Sequence, residues 1–127
     1  MKPYLLAGVG AFFGAMGRLG LGGMVLRMMP NSHFPWGTLT VNLLGCLLIG
    51  LVAGFAERTS ALNADMRVLL ITGVLGGFTT FSAFGLESLT LIKRGDWVPF
   101  LGYAIGSVTL GVLLVWAGWI AMTRTFA

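Results

Sequence analysis

Residues 76–84 read GGFTTFSAF: two adjacent glycines, two β-branched threonines and a serine, with a phenylalanine at every third place. The stretch sits in the middle of an apolar run, 68–92, where a membrane helix would ordinarily be most regular. Glycine, threonine and serine are weak helix formers, so a break in the third span is expected here. Non-helical backbone at membrane depth persists only when it is buried in protein or lines water. The carbonyls of Gly76 and Thr79 would then be hard oxygen ligands suited to Na⁺, more so if a second copy supplied the same pair.

The rest of the chain shows why that depth is lipid. Of 127 residues, 57% are hydrophobic and 20 are glycine, while 9% are charged. Soluble domains carry about 25% charged residues, so this chain could not cover an aqueous surface. Its eight basic side chains give a net charge of +4 but are scattered singly or in one pair, with no basic face, which sets nucleic acid aside as a partner. The one cysteine, Cys46, leaves no disulfide within the chain and no Cys/His grouping for a metal, and it reads as a small packing residue.

Four apolar runs, 5–26, 37–56, 68–92 and 98–122, are each long enough to cross about 30 Å of hydrocarbon at about 1.5 Å per residue. The first follows Lys2 as a signal peptide would, but it outlasts the about 7–15 residues of a signal core and reads as a retained span. The chain is therefore expected to be a single four-span transmembrane domain, 1–127, all-α, with a broken third helix. Loops 27–36, 57–67 and 93–97 hold the turn formers, among them Pro30, Pro35, Asn63 and Gly95. Trp36 and Trp97 mark one membrane edge, and Trp116 and Trp119 approach the other.

Lys2, Arg58, Arg67 and Arg124 flank one side, and Arg27, Lys93 and Arg94 the other, joined by Arg18 if it reaches that edge. A positive-inside bias this small leaves both insertions open, and two opposite copies can pair across an axis in the membrane plane. Seven glycines crowd the first span, where Gly10 and Gly14 form a GxxxG. Small residues let helix backbones approach in lipid, and four helices offer little interior of their own, so a homodimer is expected.

Ionisable groups inside spans are costly, which singles out Arg18 and Glu87. Arg18 either snorkels to an edge or stands in a water-filled vestibule, and if Glu87 faces the same recess the two would pair. Phe78, Phe81 and Phe84 would share one face of a helix, and rings presented edge-on attract a small anion. Asn42 adds a buried amide donor that needs a partner, Thr38 stands one turn before it, and Ser107 with Thr109 lies near the middle of the fourth span. Donors without a buried base suit an anion path and suit catalysis poorly. His33 lies in a loop with no nucleophile or metal partner, so enzyme action is not expected.

PWGTLTVNLLG (35–45), TGVLGGFTTFSAFGLE (72–87) and GYAIGS (102–107), with the early Arg18, resemble the Fluc (CrcB) family of bacterial fluoride channels over nearly the whole chain. The resemblance implies an antiparallel, dual-topology homodimer in the bacterial plasma (inner) membrane, with two fluoride pores and a structural Na⁺ at the dimer centre. It assigns Asn42 as a pore donor, Phe81 and Phe84 as the edge-on ring box, and Thr38, Ser82 and Ser107 as pore hydroxyls. Arg18 and Glu87 fall at the vestibule, and Gly76 and Thr79 supply the Na⁺ carbonyls. The family pattern commonly reads TFSTFSxE, so Ala83 and Gly85 stand here without hydroxyls, as does Gly111 in the fourth span; Phe78 reads as packing.

Elementary chemistry agrees with passive fluoride export. HF enters cells as a neutral acid and ionises at neutral pH, so the membrane potential alone can drive the anion out, and no nucleotide-binding GxxxxGK[ST] is present. The competing reading is a small four-helix proton-coupled multidrug exporter. That class would want an acidic residue in the first span, where this chain has Arg18.

Overall fold

The computed structural model describes Met1–Ala127 and builds four spans from five helices. Helix α1 covers Lys2–Met28 and α2 covers Trp36–Arg58. The third span comes in two pieces. Its first piece, α3 (64–78), joins an α-turn Ala64–Arg67, a π-helical stretch Val68–Leu75 and a last α-turn Gly76–Phe78. Its second piece, α4, covers Phe81–Lys93, and α5 spans Trp97–Thr125 after a turn in which Gly95 takes φ 79°. The helices outrun the apolar runs by one to four residues at each end, because their last turns reach into the interfacial layer.

The expected break is narrower than the sequence suggests. Gly76 and Gly77 remain helical, and only Thr79 (φ −85°, ψ 158°) and Thr80 (φ −151°, ψ 117°) are extended. The π-helical stretch that precedes them has no signature in composition. It widens the span one turn ahead of the break, a placement common near functional sites.

Glycine decides which helices touch. A Cβ at Gly10 would stand 2.5 Å from the Leu69 carbonyl oxygen, and one at Gly77 would stand 2.6 Å from that of Ala11. The GxxxG of α1 therefore seats the π-helical stretch and the turn after it. A second crossing joins α2 to α5, with Gly54 against the Trp119 carbonyl (2.7 Å) and Gly118 against that of Leu47 (2.5 Å). These two close pairs leave α4 lying against α5 and α2, with its N-terminus at mid-membrane.

The fully buried side chains are few: Tyr103, Leu91 and Val41. Most large apolar side chains of α1 and α5, such as Phe12, Leu19, Ile105 and Val112, are exposed on the single subunit. Lipid or another apolar surface must cover them. Polar contacts tie the ends together: Lys2 Nζ lies 2.6 Å from Asp65 Oδ2, and Arg67 Nη2 donates to the Ala56 carbonyl (3.3 Å) at the end of α2. Trp119 Nε1 donates to Glu57 Oε2 (2.6 Å) at the same edge. Cys46 is half-buried, with its Sγ 3.3 Å from where a Gly111 side chain would begin, which fits a packing role.

Candidate functional site

A helix interrupted at membrane depth must find partners for the backbone groups it frees, and Asn42 supplies them. Its Oδ1 accepts from the Thr80 N–H (2.8 Å) while its Nδ2 donates to the Thr80 carbonyl (3.0 Å). The amide thus closes a two-point clamp on one residue of the break, using Oδ1 and one of the two Nδ2 hydrogens. The threonine side chains cap the two helix ends. Thr79 Oγ1 donates back to the Leu75 carbonyl (3.0 Å), and Thr80 Oγ1 accepts from the Ala83 N–H (3.2 Å) as the N-cap of α4.

These substitutions leave a defined set of free carbonyls. The Thr80 and Ala83 N–H groups, which in a continuous helix would serve the carbonyls of Gly76 and Thr79, are taken by Asn42 and by the Thr80 hydroxyl. Neither carbonyl receives another backbone N–H. Gly76, Phe78 and Thr79 thus carry carbonyls without a backbone N–H partner across the break, and the C-terminal end of α3 adds the negative end of its dipole. The α4 N-terminus offers the opposite, a positive end.

Arg18 and Glu87 do not pair. Arg18 reaches across from α1 and donates through Nε to the Gly77 carbonyl (3.2 Å), so it neither snorkels outward nor meets the carboxylate. Glu87 accepts from Thr38 Oγ1 at Oε1 (2.7 Å) and from Tyr103 Oη at Oε2 (2.8 Å), joining α2, α4 and α5. Two hydroxyl donors satisfy an intramembrane carboxylate without a counter-ion. Tyr103, within the GYAIGS stretch, is a functional residue that sequence reasoning misses; its signal there is a phenol in the middle of an apolar span.

The three phenylalanines are not one stripe, because the extended residues 79–80 separate them. Phe78 packs against α1 and α2: its ring carbons lie 3.4 Å from the Gly17 side-chain position and 3.5 Å from that of Gly45. Phe81 and Phe84 form a pair with ring centroids 5.6 Å apart, and Phe84 continues to Tyr103 at 4.9 Å. Phe81 is 83% exposed on the subunit, an unusual state for a ring beside a polar break. Ser82 Oγ lies 3.4 Å from Thr80 Oγ1. Ser107 lines neither of the clefts at the break and its hydroxyl makes no hydrogen bond, and Thr109 donates to the Ile105 carbonyl of its own helix (2.7 Å).

Two open clefts meet at Thr80. One, of about 420 Å³, runs between α1 and α2 from Leu26 and Gly37 near one membrane edge down to Arg18, Thr38, Thr80 and Ala83. The other, of about 300 Å³, lies beyond the clamp and is lined by Asn42, Gly76, Thr79, Thr80 and Phe81 among others. The Asn42–Thr80 clamp is the partition between them. A polar thread through an apolar subunit therefore passes Arg18, the threonines, Asn42 and the exposed ring of Phe81.

Against known proteins, residues 5–119 match the family model described as CrcB-like protein, Camphor Resistance (CrcB). The chain is 47% identical over 118 residues to the "Fluoride-specific ion channel FluC" of Nitratidesulfovibrio vulgaris, covering 93% of this chain and 94% of that one. It is 45% identical to the protein of that name from Methylobacillus flagellatus, over 93% of this chain and 92% of that one. The likeness to the one from Rhizobium leguminosarum bv. trifolii is 45% over the full length of both.

Proposed function

Since the chain belongs to the CrcB-like protein family, we propose that it works as a fluoride-specific channel, a multi-pass bacterial membrane protein that lets F⁻ leave the cytoplasm passively. The observation that carries the reading is the two-cleft break: a neutral clamp at Asn42–Thr80, flanked by Arg18 and by an exposed ring at Phe81. Fluoride is small and strongly hydrated, so a path must replace its water with several donors and still release it. Hydroxyls, one amide, a helix N-terminus and ring edges are donors of that weak, multiple kind. Fluoride efflux from loaded liposomes, with chloride as the comparison, tests the reading.

The working unit we propose is an antiparallel homodimer, with two pores between the copies. Both clefts are open grooves on the subunit, and Phe81 projects from the wall of one of them. A second copy would roof the grooves and turn each into a pore. The near-even division of basic residues between the two membrane edges supports opposite insertion of the copies. A tag at the C-terminus should be reached from both faces of native membranes in comparable amounts, and one uniform orientation would reject antiparallel pairing.

Gly76 and Thr79 of each copy would hold a structural Na⁺ at the dimer centre, four carbonyls in all from two symmetric pairs. Their fitness rests on their lost N–H partners and on the α3 dipole end. The bound ion would supply fixed positive charge that ties the two breaks together. Within the chain, Asn42 keeps the Gly76 carbonyl free by taking the Thr80 N–H, the Thr80 hydroxyl does the same for Thr79 by taking the Ala83 N–H, and Arg18 occupies the neighbouring Gly77 carbonyl.

A further inference from the structure

A second guanidinium, that of Arg27, stands beside the outer end of the larger cleft, next to its lining residue Gly23. Arg27 occupies the last turn of α1 and folds back over Gly23, so that its Nη2 lies 4.0 Å from where a Gly23 side chain would begin. Gly22, Gly23 and Leu26 form one wall of that cleft, and Gly37 of α2 faces them. Arg27 is nine residues beyond Arg18, about 13 Å further along the helix axis, toward the aqueous edge.

Charge accounting inside the cleft makes this position matter. Arg18, at the inner end, donates to the Gly77 carbonyl, and the Glu87 carboxylate accepts from Thr38 of the lining. An anion approaching from the aqueous edge therefore meets charges of both signs among the inner groups. Arg27 shifts the balance by one positive charge. No acidic side chain meets it: Glu87 is taken by Thr38 and Tyr103, and the one ion pair in the subunit joins Lys2 to Asp65 at the opposite edge.

On the channel reading above, we infer that Arg27 is an anion-gathering residue at the pore mouth. It raises the local concentration of F⁻ without entering the conduction path, and so sets rate without setting selectivity. A charge in a cleft with low-dielectric walls concentrates counter-ions and loses that effect as salt screens it.

The test is fluoride efflux from liposomes at low and high ionic strength, adjusted on both sides with an impermeant potassium-free salt such as sodium gluconate, at a fixed outward potassium gradient. At about 10 mM, where screening reaches about 30 Å, R27Q should conduct about two- to five-fold more slowly than the parent chain and R27E more slowly still. R27K should match the parent. At about 1 M, where screening acts within about 3 Å, all four should converge, and fluoride-over-chloride preference should be the same throughout. A deficit in R27Q that persists at high salt assigns Arg27 a structural role and overturns the inference. So do equal rates for Arg, Gln and Glu at low salt. A parent chain that passes no fluoride in any salt overturns the channel reading itself, a result distinct from a conducting parent whose rate ignores residue 27.

Discussion

Asn42→Asp is expected to cut fluoride flux by about 100-fold or more. The substitution keeps an oxygen that can accept the Thr80 N–H, but it removes the Nδ2 donor and turns a carboxylate oxygen toward the Thr80 carbonyl. It also sets a fixed negative charge beside the proposed anion path. A like charge about 4 Å away, at an effective dielectric of about 20, repels by about 4 kcal/mol, which corresponds to about a thousand-fold in rate. Losing one of the clamp's two hydrogen bonds would add about 1–3 kcal/mol of instability at the break. Size-exclusion behaviour should stay near that of the parent while thermal stability falls. Flux at the parent rate would place the ion path elsewhere than Asn42.

Phe81→Ile is expected to slow flux about ten-fold or more with the subunit intact. The ring contributes almost nothing to the packing of its own subunit, since it is 83% exposed, so its loss opens no core cavity there. Isoleucine keeps an apolar side chain of comparable reach but has no polarised edge. Aromatic contacts of this kind contribute about 0.5–1.5 kcal/mol each, a factor of about two to ten in rate per ring. Because the opposite copy would present the same ring, the effect compounds in the dimer. Phe84→Ile makes the comparison sharper, since Phe84 also packs on the buried Tyr103 and its loss should cost stability as well as flux. An unchanged rate in Phe81→Ile would remove the ring edge from the path.

The four spans were legible because lipid imposes a simple rule, a long apolar stretch with almost no charge, and the chain follows it with little ambiguity. The break was legible in kind because glycine and β-branched residues cluster at a depth where helices are otherwise regular. Its extent was not, because Gly76 and Gly77 keep helical angles while the two threonines give way. That outcome is set by Asn42, 38 residues away, capturing the Thr80 backbone at both ends. Sequence could say that a buried amide must find a partner; it could not say which backbone group.

The same limit governs the charges. Arg18 and Glu87 stand out in the sequence as costly residues, able to pair only if they face the same recess. Instead, the break offered Arg18 a carbonyl at Gly77, and Thr38 with Tyr103 satisfied Glu87 from two other helices. The period-three phenylalanines misled for a related reason. A face is defined only along continuous helix, and the extended pair at 79–80 sends Phe78 into the α1–α2 packing and leaves Phe81 outside it. The π-helical stretch 68–75 had no compositional signal at all; it appears where Gly10 and Gly14 of α1 press against its carbonyls.

The most direct test of the central claim is an ion-efflux trace. Liposomes containing the purified protein and loaded with potassium fluoride are diluted into a potassium-poor medium, and valinomycin is added to release the charge constraint. F⁻ should appear rapidly outside, with no comparable release from vesicles loaded with potassium chloride. Vesicles that retain their fluoride after valinomycin, or that release chloride equally fast, would contradict the central claim.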